Sequence, residues 1–210
     1  MRNIQKGHEP TSLTEHRKTP HADYRNYADK DTLRHHLADE QGGICCYCMS
    51  RIRPTVDSMK IEHWRCQDGY PNRQLDYSNL LGACRGGEGK PGRDQHCDTF
   101  KGDSDLSINP ADPACNVERL IKFPGSGKIK SDDPDIDREL NEVLNLNHPQ
   151  LVANRKATLD SFCQAIGRQH RTNGWFNRKL TEWRGDGGGE LQPFSQVVVY
   201  YLCRKLGVAL

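Results

Sequence analysis

No stretch of this 210-residue sequence approaches the ~18 consecutive apolar residues a membrane span needs, so no part of it is expected to cross a bilayer. The first residues, MRNIQKGHEPTSLTEHRK, hold no apolar run with a small-residue cleavage site behind it. A secretory signal is therefore not expected, and the chain reads as cytoplasmic. A strong excess of one charge is also lacking, since 30 Lys and Arg face 28 Asp and Glu for a formal net charge of +2. That balance hides a segregation along the chain. Between Asp132 and Glu142, Arg138 alone stands among acids, whereas Leu151 to Arg184 carries Arg155, Lys156, Arg168, Arg171, Arg178, Lys179 and Arg184 against Asp160 and Glu182. A basic stretch of this kind suits a phosphate backbone or the solvated face of a helix. A phosphate-binding loop is missing too. Gly125-Ser126-Gly127-Lys128 has no Gly five positions before Gly127, and Ile129 replaces the Ser or Thr, so it reads as a hairpin turn. The chain has no internal repeat, and no thioredoxin-like βαβ pattern surrounds Cys45 and Cys48, which disfavours redox chemistry.

What the sequence does have is nine cysteines. In a reducing compartment they are not expected to form a disulfide framework, and metal binding is the better reading. Cys45-x-x-Cys48 is predicted on a tight turn, and a second pair, Cys84 and Cys97, returns across a glycine-rich insertion. Four thiolates suit zinc and leave no open coordination position, so the ion would be structural. Cys46 breaks the two-residue spacing and Cys66 has no paired cysteine nearby. Cys115, Cys163 and Cys203 are expected as small buried hydrophobes. Around these pairs lie Glu62-His63, then Asn79, then Asp98 directly after the last cysteine: an ordered set fit for metal-assisted hydrolysis.

The surroundings read as follows. Residues 1–42 form an extended arm and a helix from Asp29 to Gly43, with an acidic cap, Leu33 and Leu37 on one face and a Gly pair as the stop. Residues 43–102 form a small metal-nucleated module with a thin core of its own. Residues 103–210 begin with two short strands in VERLIKFPGSGKIKS. Asp133-Pro134 then opens a helix bearing Ile136, Leu140, Val143 and Leu144. His148-Pro149 opens another, with Leu159, Phe162, Cys163 and Ile166 inward and most basic charge outward. Arg184 to Gln192 reads as a flexible glycine-rich loop, and PFSQVVVYYLCRKLG as a last helix.

The order Cys45-x-x-Cys48, Glu62-His63, Asn79, Cys97-Asp98 resembles the HNH, or His-Me finger, nucleases, in particular those bearing a zinc ribbon. The resemblance implies an α+β fold, a small zinc-stabilised ββα-metal module embedded in mainly helical flanks. It implies His63 as general base, Glu62 as the acidic metal ligand beside it, and Asn79 as the brace that orients the histidine. It also implies Asp98 at the position of the final His or Asn, so that Glu62 and Asp98 would hold catalytic Mg2+ or Mn2+. His96 is the alternative to Asp98 as that ligand. Lys101 is either a phosphate contact or a surface lysine. With Arg2, Ile4, Lys6, Glu9, Pro10, Leu13, Gly43-Ile44-Cys45-x-Tyr47-Cys48, Ile61-Glu62-His63, Tyr77-Ser78-Asn79-Leu80-Leu81, His96-Cys97-Asp98 and Lys101-Gly102 included, the sequence looks like the retron- and Septu-associated HNH proteins of the PtuB type. That resemblance implies DNA as substrate, with RNA as a second class, and an anti-phage complex with a PtuA-type ABC ATPase, with retron RNA and DNA in a larger assembly. Residues 103–210 would be the docking region. The rival from another class is a non-catalytic zinc-ribbon module that binds nucleic acid or protein.

Overall fold

Pro10, with φ fixed at −58°, starts helix α1 (Thr11–Arg17), which buries Leu13. The structure, a computed structural model, describes residues 1–167 and 171–210; Arg168 of the basic stretch lies outside them. The N-terminal segment is thus not the extended arm expected from sequence. It folds back on the body, with Met1, Ile4, Leu13 and Tyr27 buried and Ile4 N–H donating to the Pro110 carbonyl at 2.7 Å. Its apolar residues are too sparse to show a helical period, and their partners are distant in sequence. Helix α2 (Lys30–Glu40) matches expectation: the Asp29 side chain accepts from Thr32 N–H, and Leu33 and Leu37 face inward. It stops before Gly42 and Gly43, whose φ values of +61° and +68° suit glycine. At Gly42 a Cβ would also lie 2.6 Å from Leu191, so the glycine admits the later loop against the helix end.

Strands β1 (Met59–His63) and β2 (Leu80–Cys84) pair antiparallel, in register from Met59↔Cys84 to His63↔Leu80. The one-turn helix α3 (Asp98–Lys101) follows Cys97 directly. These three elements make the ββα unit, and the rest is mainly helical, so the fold is α+β as expected.

Val117–Leu120 is a short helix, α4, rather than the first strand of a hairpin. The expected pairing survives only as one antiparallel bridge, Lys122↔Lys130. Helix α5 (Pro134–Arg138) is capped by Asp133, which accepts from Asp135 and Ile136 N–H. A π turn (Glu139–Val143) continues it, with Ile136, Leu140 and Leu144 buried. Helix α6 (Pro149–Ile166) is capped by His148, α7 (Asn173–Arg184) by Thr172, and α8 is Ser195–Leu206. Two expectations for this region need correction. Arg155 does not face solvent but is fully buried, while Cys115 and Cys163 are only half-buried; of the three extra cysteines Cys203 alone fits the expected role.

One apolar core runs from Met1 to Val197, and a smaller one joins α6, α7 and α8 through Phe162, Phe176, Leu180, Val198 and Leu202. Backbone bonds stitch the ends of the chain to its middle: Cys97 N–H to Leu144 O at 2.8 Å, Phe194 N–H to Met49 O at 3.0 Å and Leu191 N–H to Gly42 O at 2.9 Å. Residues 103–210 thereby supply much of the apolar contact that the thin ββα unit cannot generate alone.

Candidate active site

The turn after α2 is closed by Cys45 N–H donating to Ser50 O at 2.9 Å and Met49 N–H to Cys45 O at 3.1 Å, with Met49 at φ +66°. This knuckle points Cys45 and Cys48 at Cys84, the last residue of β2, and at Cys97, the residue before α3. The four sulfurs lie within 4.8 Å of one another, with Cys48–Cys84 at 3.7 Å and Cys45–Cys97 at 4.0 Å. A tetrahedron built on metal–sulfur bonds of about 2.3 Å has edges of about 3.8 Å, so the set fits zinc. The thiols also oppose one another's ionisation. Burial resists a charge on Cys45, yet hydrogen bonds from Cys46, Cys48, Cys84 and Cys97 hold it low, while Cys84 and Cys97 are pushed up. A bound dication would let all four ionise together. Cys46 and Cys66 stay outside this group. Gly86, just beyond Cys84, sits at φ +57°, where a Cβ would meet His96 O at 2.1 Å. The insertion can therefore return to Cys97 only with glycine at this position.

The Arg155 guanidinium donates to Gly127 O at 2.6 Å and Leu146 O at 2.7 Å, and it has no carboxylate partner among the described residues. Burial draws its pKa down to about 10, with Cys48 and Cys97 opposing that shift.

On the other side of the hairpin, Glu62 and His63 end β1. Both are buried, as is Asn79. The Asn79 side chain accepts from Arg65 N–H at 2.8 Å and donates to Arg65 O at 3.0 Å and Arg73 O at 3.2 Å, tying down the loop between the strands. That loop delivers the Gln74 carbonyl to His63 Nε2 at 3.0 Å. A carbonyl only accepts, so Nε2 carries the proton and Nδ1 keeps its lone pair. Burial lowers the pKa of His63 to about 4, with the Gln74 bond and the Asp98 charge opposing and Lys101 adding to the drop. The Tyr24 ring, from the folded-back N-terminal segment, packs edge-on against His63 with centroids 4.5 Å apart.

Asp98 faces Glu62 across the hairpin. Burial, hydrogen bonding to Asp98 and the Asp98 charge push Glu62 well up, with Lys101 and Tyr47 opposing. Asp98 is held low by its bonds to Glu62 and Lys60, against its own burial. A pair of carboxyl groups suits a divalent cation, which prefers oxygen ligands and, for Mg2+, retains several waters. His96 lies elsewhere, with Nδ1 3.1 Å from Cys97 Sγ on the thiol side. The structure therefore brings Glu62, His63, Asn79 and Asp98 together and leaves His96 out.

Lys101 fits neither sequence reading. Its side chain is about 1% exposed, and Nζ reaches Glu62 Oε1 at 3.0 Å and His63 O at 3.3 Å. Buried there, it can neither decorate the surface nor meet a phosphate. Lys60 pairs with Asp98 at 2.5 Å and keeps 30% side-chain exposure. Tyr47 donates its hydroxyl to Glu62 Oε1 at 2.7 Å. Lys60 was not singled out from sequence, although it shares a strand face with Glu62 by alternation, and Tyr47 entered only as part of the Gly43-Ile44-Cys45-x-Tyr47-Cys48 resemblance, with no role of its own. Nothing local marks Tyr24. A cavity of about 600 Å³, lined by Arg2, Lys6, Glu40, Cys46, Glu118 and Arg184, touches none of Glu62, His63 and Asp98.

No family model matches the chain. Over 139 residues it is 30% identical to the "Retron Vc95 putative HNH endonuclease" of Vibrio cholerae serotype O1 biovar El Tor, covering 62% of this chain and 65% of that protein. Over 122 residues it is 27% identical to the "Septu protein PtuB" of Bacillus thuringiensis, covering 57% of this chain and 45% of that protein. Each match spans less than two thirds of the relative's own length. The sequence resemblance to retron- and Septu-associated HNH proteins is thus supported by two relatives. Among the described residues no helix is long and apolar enough to cross a membrane.

Proposed function

We propose that this chain, a relative of HNH-type defence proteins, is a metal-dependent endonuclease that hydrolyses phosphodiester bonds of DNA. The observation that carries the reading is His63, with Nε2 engaged by Gln74 O and Nδ1 bare, beside Glu62 and Asp98. His63 Nδ1 takes the proton of a water molecule as the water oxygen attacks phosphorus and the opposite P–O bond breaks. Asn79 holds the loop that aims the ring. Glu62 and Asp98 would hold Mg2+ or Mn2+, which supplies charge stabilisation at the phosphate and the leaving oxygen. Lys60 is the half-exposed partner of Asp98, free to turn from it toward a phosphate, whereas Lys101 is fixed. Cys45, Cys48, Cys84 and Cys97 would hold structural zinc. A non-catalytic zinc ribbon would have no use for a buried carboxylate pair next to a neutral histidine. RNA is the second substrate class to assay.

Asp98→Ala is expected to raise the Mg2+ concentration for half-maximal cleavage at least tenfold, since one of two protein ligands is lost, while His96→Ala changes it little. Cleavage of a supercoiled plasmid against Mg2+ concentration checks this, and the opposite ranking would move the ligand to His96.

The relatives' names place them in retron and Septu systems. We read this chain as the effector of such an anti-phage system, held in check by an ABC-type ATPase, because it has no nucleotide-binding motif of its own. Docking is assigned to the 103–210 region, through exposed acids such as Asp132, Asp133 and Asp135. Truncation is a poor test, because Leu140, Leu144, Leu146 and Phe194 belong to the main core. Charge reversal of the three acids together is expected to abolish co-purification of the ATPase. Undiminished co-purification would place the contact elsewhere.

A further inference from the structure

We infer that Tyr47 is a positioning residue that ties the orientation of the Glu62 carboxylate to the four-cysteine centre. The inference rests on Glu62 being a cation ligand. Tyr47 lies between Cys45 and Cys48, both members of the four-cysteine group, and its side chain is fully buried. A ring so enclosed cannot follow the carboxylate if the carboxylate turns. Its hydroxyl donates to Glu62 Oε1 at 2.7 Å.

The second donor to the same oxygen is Lys101 Nζ at 3.0 Å, from the helix that begins directly after Cys97. Cys84, the last residue of β2, is in register with Met59 at the start of Glu62's own strand. The two donors on Oε1 and the partner of β1 therefore all belong to segments closed by the thiol centre. With two donors on Oε1, Oε2 is the oxygen left for Asp98 and a cation. Fixing the carboxylate in advance removes rotamer freedom that metal binding would otherwise have to quench. A phenylalanine would fill the same space without the hydroxyl.

The test uses the full-length, zinc-loaded chain and Mn2+ as probe, with free Mn2+ followed by electron paramagnetic resonance. Loss of one hydrogen bond to a charged group predicts roughly tenfold weaker Mn2+ binding in Tyr47→Phe, with zinc content and melting temperature unchanged. Glu62→Gln should bind no Mn2+. If Tyr47→Phe binds as wild type does while Glu62→Gln does not bind, the positioning role is overturned and the reading of Glu62 stands. If wild type binds no Mn2+, or Glu62→Gln binds it as wild type does, both are overturned. A measurement on wild type decides the matter should Tyr47→Phe fail to fold or lose zinc. Coupling between sites is reciprocal, so saturating Mg2+ should tighten zinc binding several-fold, read by equilibrium competition with a chelating dye, in wild type and not in Glu62→Gln. Equal zinc affinities with and without Mg2+ in wild type would overturn the positioning role.

Discussion

Cys84→Ser is expected to yield a chain without zinc and without a cooperative melting transition. Zinc held by four thiolates contributes on the order of 10 kcal/mol to folding in small metal-nucleated units. A domain of this size has only about 5–15 kcal/mol of net stability, so most of it would go. Cys84 has a second task, because it ends β2 and pairs in register with Met59. Elemental analysis and thermal denaturation by circular dichroism check the prediction. A Cys84→Ser chain with one zinc and the wild-type melting temperature would contradict it.

Local chemistry made much of this fold legible, and long-range burial hid the rest. Asp29, Asp133-Pro134 and His148-Pro149 announce α2, α5 and α6 because a cap acts within three residues of itself. The four clustered cysteines were legible because thiolate chemistry limits what such spacing can serve. Helix α1 escaped, because its single buried residue, Leu13, gives no period. Helix α7 escaped as a separate element, its Thr172 cap lying inside a run that was read for charge. Arg155 and Lys101 misled for one common reason. Long basic side chains are usually solvated, and the partners of these two are carbonyls and a carboxylate supplied from elsewhere in the chain. At the site, order along the chain placed Glu62, His63, Asn79 and Asp98 together. It could not show the Tyr47 and Lys101 donors or the Gln74 carbonyl, which exist only once the hairpin closes.

His63→Ala is the second large effect. A general base contributes about 10²–10⁴-fold to rate, so cleavage should fall by about a thousandfold while zinc and fold persist, since His63 lies outside the thiol set. The pH dependence follows from the same residue. Its pKa is depressed to about 4 by burial, against about 6.5 in an unfolded chain. Its contribution to stability is therefore complete above pH 6.5 and lost as pH falls from there through 4. Over that window it stays a base in the folded protein, so cleavage should persist well below pH 6.5. Zinc content followed over the same range separates protonation of His63 from loss of the thiol centre. An acid limb centred near 6.5 with zinc retained would mean that His63 is not held as the structure shows.

The central claim meets its most direct test in supercoiled plasmid incubated with the zinc-loaded chain and Mg2+ or Mn2+, beside His63→Ala and beside wild type with the divalent cation omitted. Omission is preferable to chelation, which would also attack the thiol centre. The account predicts nicked and linear DNA from wild type with either cation, and intact plasmid in both controls. Cleavage by His63→Ala at the wild-type rate, or intact plasmid with wild type under both cations, would contradict it.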